Sequence, residues 1–166
     1  IDNPKIKYFD KSGFFNDEIY PITWVNHSHI QKKINPWTDI EHKKDKNRFY
    51  IDLFHDPVYG SKNDFGKTFD DPFYKKASSF KGDLTLLGDI HKYQVLDKKG
   101  RIAFSGSLIQ QDALENPYGH GVIKWELNSK DDIKHTFIEI KNDEFSIIKF
   151  VINPGADYDN LNLKTK

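Results

Sequence analysis

The sequence predicts an α/β domain dominated by strands, with few short helices. Short segments rich in β-branched and aromatic residues recur along the chain and are separated by turn residues. Helical signals are few: a polar stretch at 31–47, expected to be a loop or a short helix, and the pair Asp71-Pro72. One domain is the natural expectation for 166 residues, a length that can bury a sizeable core.

The composition excludes several classes of protein. The chain has 25 Lys and Arg residues and 25 Asp and Glu residues, so its formal net charge is zero. A dedicated DNA-binding module would carry a strong net positive charge, although a local basic patch remains open. No apolar run reaches membrane-spanning length, so no membrane association is expected. The absence of Cys excludes thiolate metal ligands, and His, carboxylate and amide groups suit Mn²⁺, Mg²⁺, Fe²⁺ or Zn²⁺.

The amino-terminal elements are expected to be a short strand and a hairpin. Residues 6–9 have the composition of a strand, and residues 14–25 predict a hairpin with polar residues at its tip. His27 and His29 follow at strand spacing and could form a metal pair. We expect them to lie in a loop instead, because no third ligand is nearby in the sequence.

A buried strand is predicted at residues 48–54, which are β-branched and aromatic. His55 follows this strand directly, and Pro57 prevents its continuation as a central strand. The sequence therefore places His55 where a strand gives way to a loop.

A second strand of the same design is predicted at residues 84–87. Gly88 follows it and would allow a positive φ or a close backbone approach. Asp89 and His91 are two residues apart, so in an extended backbone both side chains would point the same way and could reach one cation. Ligands bind at the carboxyl ends of strands in open α/β sheets, which makes this a candidate site.

The remaining elements complete a strand-rich chain. Asp71-Pro72 has the form of a helix N-cap with proline at the first helical position, so a short helix is expected there. Further strands are expected at 93–96 and 101–104, joined as a hairpin, and at 122–127, 133–140 and 145–152. Residues 157–166 are expected to form a polar tail.

The order and spacing of four segments resemble the carboxyl-terminal half of a calcineurin-like metallophosphoesterase. SbcD-type nucleases of double-strand-break repair, in versions such as those of large DNA viruses and phages, are the most similar group. The segments are 53–58, Leu87-Gly88-Asp89-Ile90-His91 with the three residues after it, 104–112, and 120–127. Together the resemblance covers residues 5–140.

This resemblance implies a site for two divalent metal ions, Mn²⁺ before Mg²⁺, Fe²⁺ or Zn²⁺. His55 matches a lone His ligand of the second metal, and His91 matches the last His of a Gly-His-x-His motif, a ligand of the first. Asp89 stands where the family has the first His of that motif, so it would bind directly or through a water molecule. Gly106 and Ser107 match a turn with an architectural role.

The resemblance also implies that the chain is part of a longer protein. Three family motifs, Asp-x-His, Gly-Asp-x-x-Asp and Gly-Asn-His, are not found, and the chain contains no Met and begins at Ile1. Residues 1–156 are thus expected to be the carboxyl-terminal portion of a phosphoesterase domain, one half of a two-sheet α/β sandwich with flanking helices. Such a chain alone is expected to bind metal weakly and to be inactive.

The function implied is that of a DNA repair exo- or endonuclease that hydrolyses phosphodiester bonds. Its partners would be DNA and an SbcC-like ATPase, and its location the cytoplasm, or the host cytoplasm or virus factory for a viral protein. Two alternatives stay open: a non-catalytic remnant or interaction module of the same fold, and a phosphatase for small substrates.

Overall fold

A computed structural model of the chain describes residues 7–28, 30, 34–39 and 44–141. These residues form an α/β-type fold dominated by strands, as expected. The elements are β1 Gly13–Asn16, β2 Ile22–His27, α1 Pro36–Asp39, β3 Phe49–His55, a 3₁₀ helix Ala77–Ser79, β4 Leu84–Gly88, β5 Gln94–Val95, β6 Ile102–Phe104, β7 Gly121–Leu127 and β8 Ile133–Glu139. None of the helices in this part of the chain combines the length and apolarity that crossing a membrane requires.

The main sheet is mixed and has the strand order β1-β2-β3-β4-β6-β5. Strands β2, β3, β4 and β6 run parallel in its centre, while β1 and β5 pair antiparallel at its two edges. His55 at the end of β3 lies beside Gly88 at the end of β4. The carboxyl ends of the central strands therefore meet at one edge of the sheet, which we call the carboxyl edge.

A cluster of buried apolar side chains lies on one face of this sheet. Side chains alternate along each strand, so Phe54, Leu87 and Phe104 project from neighbouring strands towards this face. The segment between β3 and β4 covers them with its own apolar side chains, among them Val58 and Phe80. Three of the buried side chains in this cluster, Phe54, Phe80 and Phe104, are aromatic.

A two-stranded sheet, β7 with β8, packs against the main sheet. The rings of Tyr93 and Phe137 are stacked with their centroids 4.2 Å apart, and the Tyr93 hydroxyl lies 3.1 Å from Nε2 of His135. Trp125 and Leu86 line a common cavity of about 270 Å³ between the hairpin and the main sheet. The hairpin thus covers part of the face opposite this buried cluster.

Most predicted strands are confirmed, including those at 48–54 and 84–87 and the hairpins at 14–25 and 93–104. The strand predicted at 6–9 is wrong for its described residues, 7–9, which have no regular structure. The strand predicted at 145–152 and the tail at 157–166 lie outside the described residues.

The short helix predicted to begin at Asp71-Pro72 is also wrong. Asp71 Oδ1 accepts a hydrogen bond from the backbone N–H of Phe73 at 2.9 Å, and the Asp71 carbonyl accepts one from Tyr74 at 3.0 Å, which closes a turn. The chain then pairs with Val58 through Lys75 instead of continuing as a helix. This β-bridge to a distant segment forms in place of the helix that the local capping residues predict.

Candidate functional site

His55 occupies the last position of β3, at the carboxyl edge, as the sequence predicts. Its ring lies against the backbone of Gly88 in the neighbouring strand. A Cβ atom placed on Gly88 would lie 2.7 Å from Cδ2 of His55, closer than side-chain carbons approach. Glycine at position 88 is therefore required for this position of the imidazole.

Asp89 has a φ of 90°, the one positive φ outside glycine among the described residues. Such a conformation costs of order 1–3 kcal/mol in a residue with a side chain, although Asp tolerates it better than most. It turns the chain sharply at the end of β4, so that Asp89 is exposed while Ile90 is buried in the core. The backbone strain thus presents the Asp89 carboxylate at the carboxyl edge.

His91 is hydrogen-bonded to a buried carboxylate. Its Nδ1 lies 2.6 Å from Oε1 of Glu115, and the two side chains are 41% and 4% exposed respectively. The other carboxylate oxygen, Oε2, accepts a hydrogen bond from the backbone N–H of Gln111 at 2.7 Å. Burial raises the pKa of Glu115, but the hydrogen bonds from Gln111 and His91 outweigh it, and the pKa lies below its usual range.

The loop that carries Glu115 is held by its own side chains. Gln110 Nε2 donates to the backbone carbonyls of Asp112 and Glu115, each at 3.0 Å. His120 is buried, with Nδ1 2.9 Å from the Ser107 hydroxyl and Nε2 2.7 Å from the Asn116 carbonyl. These polar groups are structural, and they fix the loop around Glu115.

Gly106 and Ser107 support the backbone of His91. The Ser107 N–H donates to the His91 carbonyl at 3.0 Å. Gly106 has a φ of 79°, and a Cβ atom there would lie 2.6 Å from the same carbonyl oxygen. Their contacts are architectural, in agreement with the role expected from the sequence.

The candidate ligands line two neighbouring clefts. Asp89 and His91 line a cleft of about 340 Å³, the His91 cleft, together with Glu115. His55 lines a second cleft of about 420 Å³, together with Leu53. The structure therefore brings Asp89 and His91 into one cleft and places His55 in the next.

The side chains at this edge suit a divalent cation in their chemistry but do not form a complete metal site. Imidazole and carboxylate are ligands of Mn²⁺ and Zn²⁺, and a His whose second nitrogen is bonded to a carboxylate is typical of metal ligands. Nevertheless, no group of three or more His, Asp or Glu residues is arranged to hold a metal within the described parts of the chain. Any complete coordination shell needs further ligands.

One buried polar pair was missed from the sequence. His27 ends β2 and is buried, with Nε2 2.8 Å from Oδ1 of Asp52, so the prediction that it lies in a loop is wrong. Asp52 also accepts hydrogen bonds from Trp37 Nε1 at 2.7 Å and the Gly82 N–H at 2.6 Å. Lys75 Nζ lies 3.3 Å from the other ring nitrogen of His27. His29 lies outside the described residues.

A pattern in the sequence could have placed His27, but none could have found Glu115. Thr23, Val25 and His27 alternate with more exposed residues, which is the pattern of a half-buried strand. Glu115 lies 24 residues after His91 in a loop, and no local motif links the two residues.

The described residues form a strand-dominated α/β-type domain with a mixed sheet. No family model matches it. Its sequence is similar to that of Uncharacterized protein R555 of Acanthamoeba polyphaga mimivirus, with 37% identity over 147 residues, which are 84% of this chain and 10% of that protein. The chain thus spans about a tenth of the length of the relative it matches.

Proposed function

We propose that this chain is the carboxyl-terminal part of a metal-dependent phosphoesterase domain, whose complete form is a nuclease that hydrolyses DNA phosphodiester bonds. The observation that carries the proposal is the His91 imidazole, half exposed in a cleft at the carboxyl edge and hydrogen-bonded to the buried Glu115 carboxylate. Asp89 lines the same cleft, and His55 ends the neighbouring strand β3.

In this proposal His91 and Asp89 would hold one ion, with His55 directed to the second. The remaining ligands would come from outside the described residues. Divalent metal ions, Mn²⁺ first, would activate a water molecule and stabilise the charge that develops on the phosphoryl group. An SbcC-like ATPase partner belongs to the same proposal. So does a location in the host cytoplasm or virus factory, which accords with the viral origin of the relative.

Paramagnetic NMR tests the metal site in the chain itself. Titration with Mn²⁺ should broaden the side-chain resonances of His91 before those of His135, which packs in the β7–β8 hairpin and serves as the internal control. Weak binding is expected, because the described residues hold no complete ligand set. Equal broadening of both histidines would contradict the proposed site.

Activity assays test the reaction. The chain alone should show negligible cleavage of single-stranded DNA with Mn²⁺, whereas the full-length protein that contains it should cleave, and His91→Ala should abolish that cleavage. Faster turnover of a small aryl phosphate than of DNA would favour a small-substrate phosphatase. Rapid cleavage of DNA by the chain alone would contradict the proposed dependence on further ligands.

A non-catalytic interaction module is the second candidate. One observation favours it: the described residues contain no group of three or more side chains arranged to bind a metal. Full-length protein that neither binds Mn²⁺ nor cleaves DNA would support this candidate over the nuclease.

A further inference from the structure

The Glu115 carboxylate is a fixed hydrogen-bond acceptor for His91. Its side chain is 4% exposed, so bulk water does not compete for its oxygens. Oε2 is anchored by the Gln111 N–H, and the main chain at position 115 is held by the Gln110 side chain and by a hydrogen bond from the Glu115 N–H to the Asp112 carbonyl at 3.0 Å. The remaining oxygen, Oε1, therefore has a defined position beside the imidazole.

An ionised carboxylate accepts hydrogen bonds and donates none, so Nδ1 of His91 must carry the proton in this contact. The neutral imidazole then has its lone pair on Nε2. Since Ser107 and Gly106 already fix the backbone of His91, the contact with Glu115 removes the remaining freedom of ring rotation. The two supports come from different segments and act on different parts of the residue.

We propose that Glu115 is a positioning residue, which holds His91 in the tautomer protonated on Nδ1 and leaves Nε2 as the nitrogen that binds a divalent cation in the His91 cleft. The tautomer follows from the hydrogen bond alone. The second half of the inference, that Nε2 binds a metal ion, rests on the proposed phosphoesterase function. Carboxylate partners of this kind commonly change metal affinity by about 10-fold to 100-fold.

The tautomer is measured first, in the chain without metal, from the ¹⁵N chemical shifts of the His91 ring. The wild type should show protonation on Nδ1, and Glu115→Ala should lose that preference. Glu115→Gln has one acceptor oxygen for two donors, and because the Gln111 backbone N–H can only donate, the amide NH₂ faces the His91 ring and should move the proton to Nε2. Glu126→Gln is the control, since this exposed carboxylate on β7 does not line the cleft. Backbone amide spectra establish that each variant is folded.

The affinity for Mn²⁺ is then measured by electron paramagnetic resonance in the full-length protein. Glu115→Ala and Glu115→Gln should each weaken binding by about 10-fold to 100-fold, while Glu126→Gln should stay within a few-fold of wild type. An unchanged tautomer in Glu115→Ala would overturn the positioning role whatever the metal result. A changed tautomer in a protein that binds no Mn²⁺ would uphold the role of Glu115 and reject the proposed function.

Discussion

Replacing Asp52 with Ala removes the acceptor of three hydrogen bonds at once. The donors are His27 Nε2, Trp37 Nε1 and the Gly82 N–H, and the Asp52 side chain is fully buried among them. Because Trp37 belongs to α1 and Gly82 precedes β4, the carboxylate joins three separate segments of the chain. Its loss should destabilise the whole sheet.

The expected cost of Asp52→Ala is about 3–5 kcal/mol, because three donors lose their acceptor and each unsatisfied donor costs about 1–3 kcal/mol when buried. Asp52→Asn keeps the shape but has one acceptor oxygen for three donors, so at least one donor stays unsatisfied, at a cost of about 1–3 kcal/mol. Since domains are stable by about 5–15 kcal/mol in total, the Ala variant loses a large share.

Urea unfolding followed by circular dichroism measures these free energies, with the slope of the transition checked for constancy between variants. Glu126→Gln, an exposed position on β7, is the control and should stay within about 0.5 kcal/mol of wild type. The reasoning is refuted if Asp52→Ala costs less than about 1 kcal/mol, since the network would then contribute little to stability.

Three further perturbations test other parts of the structure. Phe104→Ala, in the fully buried core, should cost about 3–5 kcal/mol in the same urea assay, whereas the exposed Phe73→Ala should change little; equal effects would contradict the described core. Gly88→Ala should shift the NMR signals of the His55 ring, which the new methyl group displaces, and unchanged signals would count against the contact. The pKa of Asp17 lies below its usual value, because the carboxylate accepts hydrogen bonds from Lys7, from the backbone of Tyr20 and Ile19, and from Trp24. Asp17 therefore stabilises the fold above the pKa of the unfolded state, near 3.8, and this stabilisation disappears as the pH falls towards the folded pKa. The stability difference between wild type and Asp17→Asn should accordingly shrink on acidification, and a constant difference would exclude this linkage.

The positions of the strands could be predicted because their signals are local. Residues 48–54 and 84–87 are short apolar runs, and Pro57 and Gly88 mark where they end. The sequence also placed His55 and Asp89 at the ends of two strands, and the structure pairs these strands in parallel. Composition and turn residues are therefore sufficient to locate these strands along the chain.

The parts that could not be predicted depend on contacts between distant residues. The pairing of His27 with Asp52 joins residues 25 apart, and that of His91 with Glu115 joins residues 24 apart. The cleft that each candidate ligand lines is set by the sharp turn at Asp89, whose positive φ is not encoded in a local motif. Tertiary packing decides these features.

The parallel centre of the main sheet has a consequence for folding kinetics. The hairpins β1–β2 and β5–β6 join residues close in sequence, so they can form within microseconds. Before β3 can pair with β2, and β4 with β3, the long connections between these strands must close. Closing them costs conformational entropy of the chain before the core contacts that compensate for it have formed. The rate-limiting step of folding should therefore be the assembly of the central strands, with both hairpins already present.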